Sequence, residues 1–208
     1  MLTGVILAGG EVRRLRGMEI GLLPYGETTM IDQQLKAMES CCSELILVTD
    51  QPRRYLEHVP RSVRVLSDYY ESRGPLGGLH AAVALAQNEA VWVTGAHMPC
   101  VSPEVASRLF GRMREEGSHA CLPEVEGEAA ALHGVFSVRC LSVLEEMLQK
   151  DAQGQSRPDW QTLLSRLQVS TMAETELAAA GIPPGYALRV RRAEEYWRAL
   201  AQDGASRQ

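Results

Sequence analysis

The residues best suited to chemistry follow a short apolar run near the start of the chain. The run leads into two apolar residues and two glycines, in the order Leu7, Ala8, Gly9 and Gly10. Because glycine has no side chain, the backbone N–H groups of such a loop stay open to a phosphate or to the edge of a base. Three cations follow at Arg13, Arg14 and Arg16, and clustered guanidinium groups repel one another unless an anion or solvent lies between them. The segment predicts an anion- or nucleotide-binding loop, with a plain tight turn as the alternative.

A second glycine-rich segment lies further along the chain. Gly74 and Pro75 predict a rigid turn, and Gly77 and Gly78 let the backbone approach a ligand or a neighbouring element closely. Asp68 lies just upstream, at the end of a predicted strand. We interpret these residues as a second part of a binding site, with an ordinary surface turn as the alternative.

A third candidate is the histidine that follows the apolar run Val91–Thr94. His97 comes within a few positions of the end of that predicted strand, which is the usual place for a site residue in an open α/β sheet. A histidine taken alone is more often a hydrogen-bonded structural residue than a ligand. Both interpretations of His97 therefore stay open at this point.

Apolar runs and helical patterns alternate along the sequence, and they predict the strands and helices that position these residues. The apolar runs predict strands at Val5–Leu7, Leu45–Val48, Val63–Leu66, Ala90–Thr94, Ala120–Pro123, Leu132–Val138 and Tyr186–Val190. The helical patterns predict helices at Met30–Met38, Pro52–His58 (or a turn there), Leu79–Gln87, Pro103–Glu116 with Ser102 as N-cap, Leu141–Gln149, Trp160–Leu167 and Ala193–Ala201. Such alternation is typical of an α/β fold with a mostly parallel sheet covered on both faces.

Ligands of such sheets bind beyond the carboxyl ends of the strands. This rule places the segments 9–26, 68–78 and 96–100 around one cleft. The sequence therefore predicts that the two glycine-rich segments and His97 lie near one another.

The length and net charge of the chain exclude some classes of protein. The chain has 208 residues, and we expect one domain over residues 1–202 with a disordered tail at 203–208. The net charge of -5 argues against a nucleic-acid-binding protein, which usually carries a basic patch. No apolar window is long enough for a membrane span, and the first residues lack the basic region of a signal peptide. We expect a cytoplasmic protein.

The three segments, taken together, resemble the MobA-like family of molybdenum cofactor guanylyltransferases (molybdopterin-guanine dinucleotide biosynthesis protein A). The opening signature of that family, LAGGxxxRMGGxDKxLL, is similar to Leu7–Leu23. Its Asp-x-x-x-x-x-GPLxG segment is similar to Asp68 and Gly74–Gly78, and its DMP motif to His97–Pro99. Two weaker similarities extend the match: Ala130–Phe136 resembles HPLxAxY, and Tyr186–Tyr196 resembles FxNxNTPED.

The resemblance implies a three-layer α/β/α sandwich of the Rossmann-like nucleotidyltransferase type. It implies transfer of GMP from Mg²⁺-bound GTP to the phosphate of molybdopterin, with release of pyrophosphate. The nucleotide-binding residues that it implies are Leu7, Ala8, Gly9, Gly10, Arg14, Asp68, Gly74, Pro75, Leu76 and Gly77. The implied partners are the nucleotide, molybdopterin-type small molecules and molybdoenzymes or other proteins of the cofactor pathway; nucleic acid and membrane are not among them.

Several positions depart from the family pattern. Ile20 stands at the loop lysine, His97 at the metal-binding aspartate, and Arg189 and Arg191 at the asparagines of the C-terminal motif. Mg²⁺ prefers oxygen ligands, so His97 would favour a softer metal such as Mn²⁺ or Zn²⁺. Arg16 stands at a glycine of the pattern and is a candidate replacement cation. Loss of one charge-stabilising group typically costs about 10²–10³ in rate.

Three functional hypotheses follow. The first is a molybdenum cofactor nucleotidyltransferase that uses GTP. The second is a non-catalytic relative that binds nucleotide or pterin and acts in cofactor synthesis or delivery. The third is a transferase with a changed substrate, in which arginines neutralise the triphosphate in place of a metal.

Overall fold

The protein is built around a mostly parallel sheet, seen in a computed structural model that describes residues 1–10, 14–15, 17–70, 73–152 and 159–206, excluding the side chains of 152 and 202–206. Eight strands form this sheet within that part of the chain: β1 (Leu2–Leu7), β6 (Cys42–Val48), β7 (Arg64–Leu66), β8 (Ala90–Gly95), β9 (Ala120–Val125), β10 (Glu128–Ala129), β11 (Val135–Ser137) and β12 (Val169–Met172). Two small hairpins lie between β1 and β6: β2 (Arg14–Leu15) with β3 (Met18–Glu19), and β4 (Pro24–Tyr25) with β5 (Thr28–Thr29).

Helices cover both faces of the sheet. Their bounds are α1 (Met30–Met38), α2 (Pro52–Tyr55), α3 (Gly74–Leu85), α4 (Pro103–Glu116), α5 (Leu141–Ala152), α6 (Trp160–Ser165), α7 (Glu174–Ala179) and α8 (Ala193–Ser206). On one face, Ile6 and Trp92 pack with apolar residues of α1 and α4, and on the other, Val5 and Val91 pack with those of α3 and α5. This alternation along β1 and β8 confirms the predicted α/β/α sandwich.

The strand order brings four parallel carboxyl ends to one edge. The order is β7-β6-β1-β8-β11-β9-β10, and β12 also pairs with β9. β1 lies parallel to β6 and β8, β6 lies parallel to β7, and β11 is antiparallel to both of its neighbours. The loops after β1, β6, β7 and β8 therefore meet at one edge, as predicted for the candidate site.

Local capping explains why two helices match the prediction closely. The hydroxyl of Thr29 accepts from Asp32 N, and the carboxylate of Asp32 accepts from Thr29 N, so a capping box starts α1. Ser102 Oγ accepts from Val105 N at the start of α4, and Gly117, with φ of 65°, ends that helix.

The predicted strand Tyr186–Val190 is wrong. A turn at Gly185, whose φ is 110°, interrupts the segment, and Leu188 N donates to Gly185 O at 3.0 Å. Of the apolar residues that gave the strand pattern, Tyr186 and Ala187 pack in the main core, whereas Leu188 and Val190 pack in a small side cluster. A strand that the sequence did not reveal, β12, pairs with β9; it has only four residues, and their polarity is mixed.

The glycine-rich segment 74–78 is helical rather than a turn that precedes a helix. α3 begins at Gly74, whose φ of 59° turns the chain, and Pro75 occupies the first turn, where its missing N–H costs nothing. The strand predicted at Leu132–Val138 is also shorter, since a turn with Gly134 N bonded to Ala131 O precedes β11. Across the described residues, none of the helices combines the length and the apolar character that crossing a membrane requires.

Candidate functional site

The loop after β1 is held between the two neighbouring strands. Ala8 N donates to Val48 O of β6 at 2.8 Å, and Leu7 O accepts from Ala96 N, just after β8, at 2.9 Å. Beyond these bonds the backbone turns outward at Gly10, which is exposed and has a φ of 86°. Within the described residues, neither Gly10 nor the glycine before it donates its amide to a backbone acceptor. Both amides are therefore available to a ligand at the carboxyl edge of the sheet.

Two aspartates lie at the neighbouring strand ends. A Cβ on Gly9 would lie 3.6 Å from Asp50 Oδ1, so Asp50 stands beside the glycine loop. Asp68 follows β7, and a Cβ on Gly77 would lie only 3.2 Å from its Oδ2. Burial and the negative charge of Asp50 raise the pKa of Asp68 to about 6. The structure thus brings together Gly9, Asp68 and Gly77, as the sequence predicted.

Sequence reasoning missed Asp50. A signal for it was available, because Asp50 follows β6 at the same distance as Asp68 follows β7. Along α3, Gly74 and Pro75 are exposed, whereas Leu76 is buried in the apolar core below. Any contact of Leu76 with a ligand would therefore come from its backbone.

Two arginines of the segments around the predicted cleft, the candidate Arg14 and the neighbouring Arg73, are held by carboxylates. Arg14 Nε lies 3.1 Å from Oε1 of Glu19, a buried residue, and Arg73 Nη1 lies 2.9 Å from Oδ2 of Asp151, which is also buried. These ion pairs direct both guanidinium groups toward the protein itself. Two further candidates, Arg13 and Arg16, lie outside the described residues.

Ile20 is a core residue of a small apolar cluster. Its side chain is 1% exposed, and its cluster partners include Leu23, Tyr25, Met30, Val190 and Ala199. Residues Ile20–Leu22 form a 3-10 turn in which Gly21 leaves no room for a side chain, because a Cβ there would lie 2.6 Å from Ile31 Cδ1. Helix α8 covers the cluster, with Tyr25 Oη donating to Ala199 O at 3.1 Å. Position 20 therefore points into packed apolar side chains rather than toward a ligand.

His97 folds back onto the end of β8. A Cβ on Gly95 would lie 2.4 Å from Cε1 of the imidazole, so only glycine leaves room for the ring. Burial, followed by the positive charges of Arg189 and Arg191, lowers the pKa of His97 to about 4. The imidazole is consequently neutral at pH 7, and the backbone oxygen of His97 accepts from Val190 N at 2.7 Å.

The segment that crosses His97 carries two arginines. Arg189 is half-buried, and burial together with the charge of Arg191 lowers its pKa. Glu195 Oε2 accepts from Arg191 N at 2.5 Å and from Arg192 N at 2.9 Å, which caps the start of α8. No salt bridge joins Arg189 or Arg191 to an acid within the described chain. The site thus has a cationic end at β8 and an acidic end at β6 and β7.

The residues beside His97 do not fit a magnesium ion. Mg²⁺ needs several oxygen ligands in octahedral geometry, while this position offers an imidazole facing two guanidinium groups. The described parts of the chain contain no group of three histidine, cysteine or acidic side chains that could hold a metal. The carboxylates of Asp50 and Asp68 lie at other strand ends, so they do not complete a site at His97.

Comparison with known proteins agrees with these features. Residues 4–168 match the family described as MobA-like NTP transferase domain. The chain is 29% identical to the molybdenum cofactor guanylyltransferase of Desulfosudis oleivorans, over 86% of this chain and 84% of that protein.

Solved structures support the fold. The molybdopterin-guanine dinucleotide biosynthesis protein A of Archaeoglobus fulgidus superposes with a TM-score of 0.80 at 20% identity, covering 98% of this chain and 99% of that one. The 2-C-methyl-D-erythritol 4-phosphate cytidylyltransferase of Thermus thermophilus gives a TM-score of 0.65 at 15% identity, covering 97% and 98%. The family resemblance predicted from the three motifs is confirmed: the chain belongs to the MobA-like NTP transferase domain family.

Proposed function

We propose that this protein binds a guanine nucleotide at the carboxyl edge of its sheet, acts in molybdenum cofactor biosynthesis, and has largely lost Mg²⁺-dependent transfer of GMP. The relatives named as guanylyltransferases support the pathway and the nucleotide. The proposed partners are GTP, molybdopterin-type small molecules and molybdoenzymes or other pathway proteins in the cytoplasm. This is the second of the three hypotheses drawn from the sequence.

Support for nucleotide binding comes from the glycine loop. Within the described residues, the amides of Gly9 and Gly10 donate to no backbone acceptor; the loop lies at the same edge as Asp68, and Gly77 keeps the backbone of α3 close to that carboxylate. Amides can bind phosphate oxygens, and a carboxylate can accept from the N–H groups of a guanine or from ribose hydroxyls. These groups match the family pattern, so this part of the binding site does not depend on Ile20 or on a metal at His97.

The observation that carries the loss of transfer is the burial of Ile20. Nucleotidyl transfer depends on neutralising the negative charge that develops on the phosphates. Ile20 contributes no charge, and its side chain is buried among apolar residues under α8. The neutral His97 likewise offers no carboxylate for Mg²⁺. Loss of two such groups predicts a rate reduction of roughly 10⁴ or more, if each costs about 10²–10³.

Calorimetry with GTP, followed by an assay of pyrophosphate release with molybdopterin present, tests this proposal. We expect GTP binding without pyrophosphate release above background. Gly9→Ala should weaken GTP binding, because its Cβ fits beside Asp50 without a clash and adds bulk to a loop expected to contact the ligand through its backbone. Gly111→Ala is the matched control, since a Cβ there meets nothing within 4 Å. Absence of GTP binding would contradict the nucleotide assignment, and metal-dependent pyrophosphate release would contradict the loss of transfer.

The third hypothesis, a transferase in which arginines replace the metal, is favoured by one observation. Arg189 and Arg191 stand beside His97, and within the described residues neither guanidinium group forms a salt bridge. The assay of pyrophosphate release separates the two hypotheses when it is run in EDTA. Release in EDTA that disappears in an Arg189→Gln variant would favour an arginine-assisted transferase.

A further inference from the structure

We infer that Arg189 and Arg191 form a metal-independent binding site for a diphosphate or triphosphate group at the end of β8. The inference rests on the proposed function, because it assigns the phosphate end of the nucleotide to this side of the cleft. It goes further by naming the groups that hold the phosphates and by stating that no divalent cation is needed.

The backbone fixes where the two arginines stand. The bond from Val190 N to His97 O, at 2.7 Å, ties the C-terminal segment to the loop after β8. The side chain of Val190 turns into the apolar cluster beside Ile20 and is fully buried. Arg189 and Arg191 lie on either side of that anchor, and their guanidinium groups act on the imidazole of His97. Their position is therefore set by packing and by a backbone hydrogen bond rather than by a flexible tail.

The charges of this pair are only partly balanced by their surroundings, since Glu195 acts on Arg191 but forms no salt bridge with either arginine within the described residues. Arg14 and Arg73 each meet a buried carboxylate, whereas Arg189 is half-buried beside a second cation with no salt bridge in the described chain. A partly desolvated guanidinium beside a like charge is unfavourable unless an anion joins it. Glu195 is the acid that acts on His97 and on Arg191, and its carboxylate accepts hydrogen bonds from backbone amides at the start of α8.

The chemistry of the pair matches a polyphosphate. A guanidinium group offers paired N–H donors whose spacing suits two phosphate oxygens, and its charge does not depend on pH in the physiological range. Two such groups can hold adjacent phosphates, and the neutral His97 adds a hydrogen-bonding nitrogen without repelling them. A divalent cation would meet two positive charges here, so it is disfavoured. The glycine loop after β1, the strand next to β8, supplies amides for the rest of the ligand.

Isothermal titration with inorganic pyrophosphate in EDTA tests the site. The key variant is Arg189→Gln/Arg191→Gln, and the matched control is Arg192→Gln/Arg198→Gln, which removes the same charge from two exposed positions nearby. We expect the key variant to bind pyrophosphate at least tenfold more weakly than the wild type, as lost charged hydrogen bonds should cause. The control should stay within about threefold, the size expected for a long-range charge effect.

Equal binding by the key variant, or wild-type binding that requires Mg²⁺, would overturn the inference. If the key variant does not fold, thermal unfolding of the wild type in EDTA decides: pyrophosphate must raise the melting temperature, and no rise overturns the site. A GTP titration separates this inference from the proposed function. GTP binding unaffected by the key variant contradicts the arginine site alone, whereas pyrophosphate binding without GTP binding contradicts the nucleotide assignment alone.

Discussion

Val190 donates its backbone N–H to the carbonyl oxygen of His97 at 2.7 Å, and this bond joins the C-terminal segment to the functional edge of the sheet. Two consequences follow from the one contact. On one side the segment covers Ile20 with apolar side chains, and on the other it presents Arg189 and Arg191 to the imidazole. The burial of Ile20 and the placement of the arginine pair are therefore parts of one local arrangement.

Placing a lysine at position 20 should destabilise the protein rather than restore a phosphate contact. Ile20→Lys would bury an ammonium group in the cluster under α8, and we expect the free energy of unfolding to fall by about 2–4 kcal/mol. Ile20→Leu, which keeps the apolar volume, should cost less than about 1.5 kcal/mol. Urea denaturation of both variants checks this, and an Ile20→Lys variant as stable as the wild type would show that position 20 is not packed as described.

An aspartate at position 97 should compete with the anionic ligand. In His97→Asp a carboxylate would stand beside two guanidinium groups and pair with them, so we expect pyrophosphate affinity in EDTA to fall about tenfold. His97→Asn, which stays neutral, is the control and should bind within about threefold of the wild type. Titration calorimetry of the two variants with pyrophosphate measures both affinities. Equal pyrophosphate affinities of His97→Asp and His97→Asn would argue against an electrostatic site at this position.

The ionisation of His97 predicts how stability changes in acid. Its pKa is about 4 in the folded protein and near 6.5 when unfolded, so the unfolded chain takes up the proton first. The stability contributed by neutral His97 is complete above pH 6.5 and is lost as the pH falls toward 4. NMR titration of the imidazole carbon resonances should give a midpoint near 4, and a midpoint above 6 would contradict the burial of the ring. His133, fully buried with a pKa of about 4, should titrate in the same range.

Asp68 should show the opposite pH dependence. Its pKa of about 6 in the folded state, raised from 3.8 by burial and by Asp50, means that stability is lost as the pH rises through 6. Asp68→Asn should therefore be more stable than the wild type at pH 8 and equal to it at pH 3.5. The pKa shift corresponds to a change of at most about 3 kcal/mol in the free energy of unfolding. Solvent screening at this partly exposed site reduces that change to about 1 kcal/mol. Thermal unfolding of the wild type and of Asp68→Asn at both pH values measures their difference in stability. The same difference in stability at pH 3.5 and at pH 8 would contradict the shifted pKa.

A methyl group at Gly95 should displace the imidazole. The added Cβ would lie 2.4 Å from Cε1 of His97, so Gly95→Ala must push the ring away from β8. We expect the His97 pKa to rise toward 6.5 and the free energy of unfolding to fall by about 1–3 kcal/mol. Gly111→Ala, where a Cβ meets nothing within 4 Å, serves as the control. NMR titration of Gly95→Ala checks the shift, and an unchanged midpoint would show that the ring does not rest on Gly95.

The elements with strong local signals were predictable from the sequence. Ser102 and Pro103 marked the start of α4, and the glycines after β1 marked the loop at its end, because capping and glycine act within a few residues. The burial of Ile20 could not be predicted, since it depends on packing against α8, far away in the sequence. For the same reason Tyr186–Val190 resembled a strand: apolar residues of a loop that pack in the core and in a side cluster leave the same pattern as residues in a sheet.

The central claim is that the sheet edge binds a guanine nucleotide through arginines and amides rather than through a metal. The most direct test is titration calorimetry of the wild type with GTP, once in EDTA and once in excess Mg²⁺, at pH 7.5. We predict dissociation constants that agree within about threefold, because two guanidinium groups occupy the place beside His97. GTP binding that appears only with Mg²⁺ would contradict the claim.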